Sequence, residues 1–370
     1  MSDKFNRIIS ADSHVIEPAE VYTGGLHNRF GDLTPRIMEE YAGKKGTFFF
    51  TGDQVMKLRR VDEEQRDKGV DASVSWDPAR RIAFLDEAGV EAEVIYATLV
   101  SMVMHAANLP KNRDMVRAAV KIFNDWHAEF CSQDPNRLLG IAAVTTDDPK
   151  WAADEVRRTR KKGLRGIVIN TVPPDGCPPY RHEDYDVLWE TCEETDTPIT
   201  LHIVTGKVRD FAHVHTKEEN ESSPGWLFDL FSEVKTPLAN DFIFGQILDR
   251  FPNLKLVCSE FEVNWVPAFM WYLDMLEGPF GARVELPKLE RPASEYMRDR
   301  IWHGMVDDPF GDQAIEYVGA SQVCWGSDFP HVRSIGTNAQ AFVSDLFRNF
   351  SPEDQEKLVG GNTASIYGIN

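Results

Sequence analysis

The sequence predicts an α/β fold, a closed barrel of eight parallel strands ringed by helices, on three observations. Eight short β-rich runs alternate with longer stretches of helical periodicity, the pattern of parallel strands joined by right-handed crossovers. Eight strands can close on themselves and leave none for an edge. The chain has 370 residues, more than the ~250 of a typical eight-stranded α/β barrel, so insertions must take up the excess.

In chain order, the first run is 8–11. Residues 21–76 then break the rhythm with Gly24-Gly25, Phe48-Phe49-Phe50 and the charged stretch 62–68, and read as a long insertion after strand one. The second run is 92–97, followed by a helix over 115–130. The third, 138–144, precedes a helix over 151–161 entered through Asp148-Pro149, a residue pair suited to helix starts. Run four, 164–169, leads to a helix over 185–194. Run five, 199–203, opens a second long insertion, 204–235, whose polar residues 213–220 suit solvent, and a helix over 239–250 follows. The sixth, seventh and eighth runs are 254–258, 301–303 and 323–325. A helix over 338–347 and a helix start at Ser351-Pro352 close the pattern. Both insertions fall at the C-terminal face, where the loops of such barrels build active sites. No internal repeat or flexible linker divides the chain, so residues 1–370 read as a single domain.

Composition narrows the function classes. Apolar residues make up 42% and aromatic residues 11%, enough for a large core and unlike a disordered chain. With 40 Lys and Arg against 59 Asp and Glu, the net charge of −19 argues against nucleic-acid partners, which demand basic phosphate contacts. No stretch approaches the ~18 apolar residues of a membrane span. The opening Met1-Ser2-Asp3-Lys4-Phe5-Asn6-Arg7 carries no apolar signal-peptide core. Five scattered cysteines, Cys131, Cys177, Cys192, Cys258 and Cys324, contain no CxxC pair. A reduced, cytoplasmic protein is the expectation.

Three sites carry chemistry. Asp12 and His14 are two apart on strand one, so both side chains point to the same face and can meet one divalent ion. A core histidine hydrogen-bonded to an aspartate has the same pattern. His202 ends strand five, where a lone histidine is otherwise a satisfied core residue. Asp328, in Gly326-Ser327-Asp328-Phe329-Pro330-His331, closes strand eight; its alternative is a cap for the helix near Thr337. In a closed barrel strands one and eight are neighbours and strand five lies across the mouth. Donors from all three can reach one ion near the axis.

These pieces, with Ala11-Asp12-Ser13-His14-Val15-Ile16-Glu17-Pro18, Leu201-His202, Ser259-Glu260, Asn264-Trp265-Val266-Pro267 and the ending Gly361-Asn362-Thr363-Ala364-Ser365-Ile366-Tyr367-Gly368, span nearly the whole chain. The chain resembles the metal-dependent amidohydrolase superfamily, in the branch containing aminocarboxymuconate semialdehyde decarboxylase and γ-resorcylate decarboxylase. The resemblance implies a distorted (β/α)8 TIM barrel with one divalent metal ion, zinc first and manganese as the alternative. It assigns the metal to Asp12, His14, His202 and Asp328. It further implies a homodimer and a small carboxylic acid substrate.

The sequence departs from the family pattern twice. Asp12-x-His14 replaces the usual His-x-His or Glu-x-His pair, and Glu260 stands at the strand-six position that often holds a catalytic histidine. The reaction implied is nonoxidative decarboxylation of an aromatic or unsaturated carboxylic acid. The alternative is hydrolysis of a C–C, amide, lactone or cyclic-imide bond. The expected catalytic groups are Asp328 as proton acceptor, Glu260 as general acid raised by neighbouring charge, and His331 as support or substrate contact. The alternatives for Glu260 are a metal ligand, which would make the site more anionic and more tolerant of manganese, and a salt-bridged carboxylate, with Glu262 on the same face. Arg80 and Arg81 are candidate carboxylate grips, and Glu17 a loop-ordering residue. Trp76, Trp226, Trp265, Trp271 and Phe329 are candidate pocket walls.

Overall fold

The computed structural model describes residues 5–23, 25–58, 71–206, 225–278, 280–283, 285–331 and 333–369. The charged stretch 62–68, the polar run 213–220 and the Trp226 side chain lie outside the described residues. Eleven strands occur among those described: β1 (Ile9–Val15), β2 (Arg36–Tyr41), β3 (Lys44–Thr51), β4 (Gln54–Leu58), β5 (Ala92–Ala97), β6 (Leu138–Ala143), β7 (Gly166–Ile169), β8 (Ile199–His202), β9 (Leu256–Ser259), β10 (Ile301–Met305) and β11 (Val323–Trp325).

Eight of them form one sheet in the order β1-β5-β6-β7-β8-β9-β10-β11, with every ladder parallel. The sheet curls until its ends meet at a bridge between Ser13 and Phe329. This is the predicted eight-stranded α/β barrel, with β5 and β11 spanning the predicted residues. Its strands are buried along almost their whole length. Burial on both faces explains why they read as continuous apolar runs rather than alternating ones.

Helices cover the outside. Arg113–Cys131 buries Met115, Val116, Ala119, Val120, Phe123 and Phe130, a stripe at helical spacing. Each such large apolar side chain, fully buried, contributes about 1.5–3 kcal/mol. The carboxylate of Asp148 accepts from the N–H groups of Lys150 and Trp151 and starts the helix Pro149–Lys161, as the Asp-Pro pair predicts.

The first insertion is not irregular. β2, β3 and β4 form a separate antiparallel sheet that buries Phe48, Phe49 and Phe50. Its hairpins turn through Ala42-Gly43 and Gly52-Asp53, with φ of 49° at Ala42, 74° at Gly43 and 58° at Gly52. Such left-handed conformations suit two-residue hairpin loops. After β8, the helix Gly225–Ser232 lies within the second insertion.

Candidate metal centre

All the candidate residues come from the C-terminal ends of barrel strands. Asp12 and His14, both buried, project from β1 two residues apart. Asp12 reaches across the barrel, where the Ser259 hydroxyl at the end of β9 donates to its Oδ2 at 2.9 Å. His202 is the last residue of β8, Glu260 follows β9, and Asp328 lies three residues past β11.

The two imidazoles are oriented by backbone carbonyls. His14 Nδ1 donates to Ala97 O at 3.4 Å, and His202 Nδ1 donates to Ile203 O at 2.9 Å. A carbonyl only accepts, so Nδ1 carries the proton and Nε2 keeps a lone pair. His14 Nε2 lies 3.3 Å from Asp12 Oδ1 and 3.6 Å from Asp328 Oδ1. His202 Nε2 lies 3.5 Å from Asp12 Oδ2 and 3.6 Å from Glu260 Oε2.

Asp12 Oδ1, His14 Nε2 and His202 Nε2 are buried with no hydrogen-bond partner among the described residues. Each orphaned buried group costs roughly 1–3 kcal/mol, and here three converge. A cation would satisfy all three, and imidazole nitrogens with carboxylate oxygens suit zinc or manganese. Donor atoms of Asp12, His14, His202 and Glu260 all lie within 4.8 Å of one another, as do those of His14, Glu260, Asp328 and His331. The two sets share His14 and Glu260, and the single unprotonated nitrogen of His14 can serve one ion. One ion therefore fits this centre better than two. The four expected ligands are brought to one place, but Asp328 groups with His14, Glu260 and His331 rather than directly with Asp12 and His202.

The electrostatics fit a cation. Burial would raise the Asp12 carboxyl, yet the facing His202 and His14 hold it well below its ordinary value. Burial, reinforced by the neighbouring His331, lowers His14 to about 4 and keeps it neutral. Burial works against charge on His202 and His331 too, but Asp12 beside the first and Asp328 beside the second raise both. Burial, then the charges of Asp328 and Asp12, raises Glu260 well above the carboxylate range.

The backbone is bent to present these groups. Val204, Glu260, Glu262 and Asp328 adopt φ of 68°, 64°, 59° and 52°, left-handed conformations that non-glycine residues rarely adopt and that gather at functional sites. His331 Nδ1 donates to Asp328 Oδ1 at 2.7 Å, and its ring centroid is 4.0 Å from that of His14. Beneath the centre, Tyr96 stands 4.9 Å from the His202 ring and is 3.2 Å from both Thr200 Oγ1 and the Tyr367 hydroxyl. Tyr367 ends the helix Asn362–Tyr367, within the closing motif quoted above.

Other expectations resolve differently. Asp328 caps no helix, since Asn338 caps Ala339–Leu346. Glu17 accepts from the Tyr22 hydroxyl at 2.7 Å and Val100 N at 2.6 Å, which orders its loop. Glu262 pairs with Arg333 at 2.7 Å and accepts from Val306 N. Neither arginine is an open grip: Arg80 pairs with Asp71 at the surface, and Arg81 is fully buried against Glu93. Burial demands a partner for a guanidinium, and Glu93 is the one charge on β5 able to supply it. Trp76 and Trp271 are exposed, whereas Trp265 and Phe329 are buried. Sequence reasoning missed Tyr96 and Ser259. Their only signal was position, one on an inward-facing register of β5 and the other beside Glu260.

The amidohydrolase family model matches residues 12–369. The γ-resorcylate decarboxylase of Polaromonas sp. (strain JS666) is 24% identical over 79% of this chain and 87% of its own. The 2-amino-3-carboxymuconate-6-semialdehyde decarboxylase of Dictyostelium discoideum is 25% identical over 80% of this chain and 77% of its own. A crystal structure of a dihydroxybenzoic acid decarboxylase from Polaromonas sp. JS666, with bound manganese and the inhibitor 2-nitroresorcinol, superimposes with a TM-score of 0.66 at 19% identity, covering 99% of this chain and 98% of that one. With the model running from Asp12 in the first barrel strand to the final helix, this chain belongs to the amidohydrolase family.

Proposed function

We propose that this protein is a metal-dependent nonoxidative decarboxylase of a small aromatic or unsaturated carboxylic acid. The carrying observation is the convergence of three unpaired buried donor atoms, Asp12 Oδ1, His14 Nε2 and His202 Nε2, at the barrel mouth. Two relatives matched over more than three quarters of the chain are decarboxylases by name and support the reaction class. His14, His202, Asp12 and Asp328 would hold the ion, zinc or manganese; manganese is the ion in the dihydroxybenzoic acid decarboxylase structure. When bound, the ion supplies Lewis-acid charge that fixes and polarises substrate oxygens.

The chain's own groups perform the proton work. Asp328, fixed by His331 Nδ1, accepts a substrate hydroxyl proton. Glu260, kept protonated by burial and by the Asp328 and Asp12 charges, delivers its proton to the carbon that bears the carboxylate. The C–C bond then breaks, its electron pair returns to the ring or alkene, CO2 leaves, and Asp328 returns its proton to the product oxygen. Solvent reprotonates Glu260, and no water is consumed. We place this chemistry in one domain and in a homodimer on the family resemblance, and in the cytoplasm on five scattered cysteines without a CxxC pair.

Glu260 in place of the strand-six histidine favours a second reading, hydrolysis through an activated water. Parallel incubation with hydroxybenzoates such as γ-resorcylate and with aromatic amides, lactones and cyclic imides, all in oxygen-18 water, separates the two. CO2 release with no solvent oxygen in the aromatic product is expected. Hydrolysis products carrying oxygen-18, with no CO2, would replace decarboxylation by the second reading.

A further inference from the structure

We propose that Arg81 is a positioning residue of the metal centre, holding the β1 and β11 sides of the donor set in register through the His14 carbonyl and the Phe329 ring. The inference rests on the reading of the barrel mouth as a metal centre.

Arg81 sits on the helix Pro78–Ala88 and is fully buried. Its Nε and Nη2 donate to the two carboxylate oxygens of Glu93 at 2.5 and 3.0 Å. Its Nη1 donates to His14 O at 3.0 Å and to Val74 O at 3.5 Å. The guanidinium carbon lies 4.6 Å from the centroid of the Phe329 ring, which stacks on Phe84 at 4.2 Å. One side chain therefore touches the backbone of one donor residue and the ring that follows another, Asp328.

The location matters because of how the barrel closes. Ladders join β1 to β5 and each later strand to the next. Among the described residues, β1 and β11 share no ladder: the seam closes at the Ser13–Phe329 bridge, with His14 N donating to Phe329 O at 2.6 Å and Asp328 N to Asp12 O at 2.9 Å, and at Ser10, whose hydroxyl accepts from Ser327 N at 2.9 Å. The donor set straddles this seam: Asp12 and His14 on one side, Asp328 on the other. A planar guanidinium locked in a two-point fork by Glu93 has a fixed orientation. It can hold a carbonyl and a ring at set positions on both sides of the seam. Buried ion pairs give little net stability over apolar packing, so stability alone does not account for a charged pair here.

The test is manganese titration of the whole protein, followed by electron paramagnetic resonance of free and bound Mn(II), with thermal melts of the metal-free forms. Wild type is compared with Arg81→Lys, which keeps the charge but loses the fork. Leu188→Ala, on the far flank of the barrel, serves as the control for general destabilisation. The expected result is a roughly 10–100-fold weaker manganese affinity in folded Arg81→Lys, the size of effect seen when support behind metal ligands is lost. The spectrum of its bound ion should also change, while Leu188→Ala melts lower yet binds as wild type. Wild-type affinity and spectrum in Arg81→Lys would overturn the inference. If Arg81→Lys does not fold, Glu93→Gln decides in the same way, because it leaves Arg81 without its counter-charge: weaker binding supports the inference and wild-type binding overturns it. Wild-type protein that binds neither manganese nor zinc would instead remove the metal-centre reading itself.

Discussion

His14 Nε2 lies 3.3 Å from Asp12 Oδ1 in the interior of the barrel, and neither atom completes a hydrogen bond. The proton that could have joined them is on Nδ1, committed to Ala97 O. An unpaired lone pair facing an unpaired carboxylate oxygen is unfavourable unless a cation lies between them. The Asp-x-His spacing on a strand creates that confrontation directly, since both side chains must point the same way.

The packing behind Asp12 has no spare room. A Cβ added to Gly326 would come within 2.4 Å of Asp12 Cβ and 2.9 Å of Asp12 N. Gly326→Ala should therefore displace Asp12, destabilise the fold by about 1–3 kcal/mol, and weaken manganese binding about 10-fold or more. Calorimetric titration and urea unfolding measure the two effects. Unchanged affinity would mean that the backbone of Asp12 is not part of the centre's geometry.

Glu260 separates proton transfer from metal holding. Glu260→Gln retains the shape of the side chain and removes its proton, so turnover should fall by about 10²–10⁴-fold, the usual contribution of a general acid. Metal content should be unchanged. Loss of metal in this variant would make Glu260 a ligand and move the acid role elsewhere.

Glu17 predicts a pH dependence of stability. Burial raises it to about 7 from its ordinary value of 4.5, against the lowering effect of its hydrogen bonds. The native state then holds a proton that the unfolded chain has lost, so the stabilising contribution is present below 4.5 and is lost as pH rises through 7. Relative to wild type, Glu17→Gln should gain about 1–3 kcal/mol between pH 5 and pH 8, at ~1.4 kcal/mol per pKa unit. Taking the difference between the two proteins cancels the histidines that titrate in the same range. Denaturant midpoints at the two pH values provide the measurement, and a pH-independent difference would show that Glu17 is ionised in the folded protein.

Much of the barrel was legible because its strands are buried on both faces and therefore read as short apolar runs. The sheet β2-β3-β4 was not legible. Its outer ends carry Glu39, Glu40, Lys44 and Lys45, all exposed, so alternation is lost just where charge accumulates. The Ala42-Gly43 and Gly52-Asp53 turns were the usable signal. In the site, residue spacing pointed to Asp12 and His14 on β1, His202 at the end of β8 and Asp328 just past β11, and the fold brings these four side chains to one mouth. The burial of Arg81 could not be read from its sequence neighbours. A charge at a helix start is usually solvated, and only the fold brings Glu93 opposite it.

The central claim, that the barrel mouth holds one catalytic ion, is tested most directly by elemental analysis of purified wild-type protein beside Asp328→Asn and His202→Ala. The predicted result is about one zinc or manganese per chain, depleted in both variants. Wild-type protein with no bound metal, and none recovered on adding zinc or manganese, would contradict it.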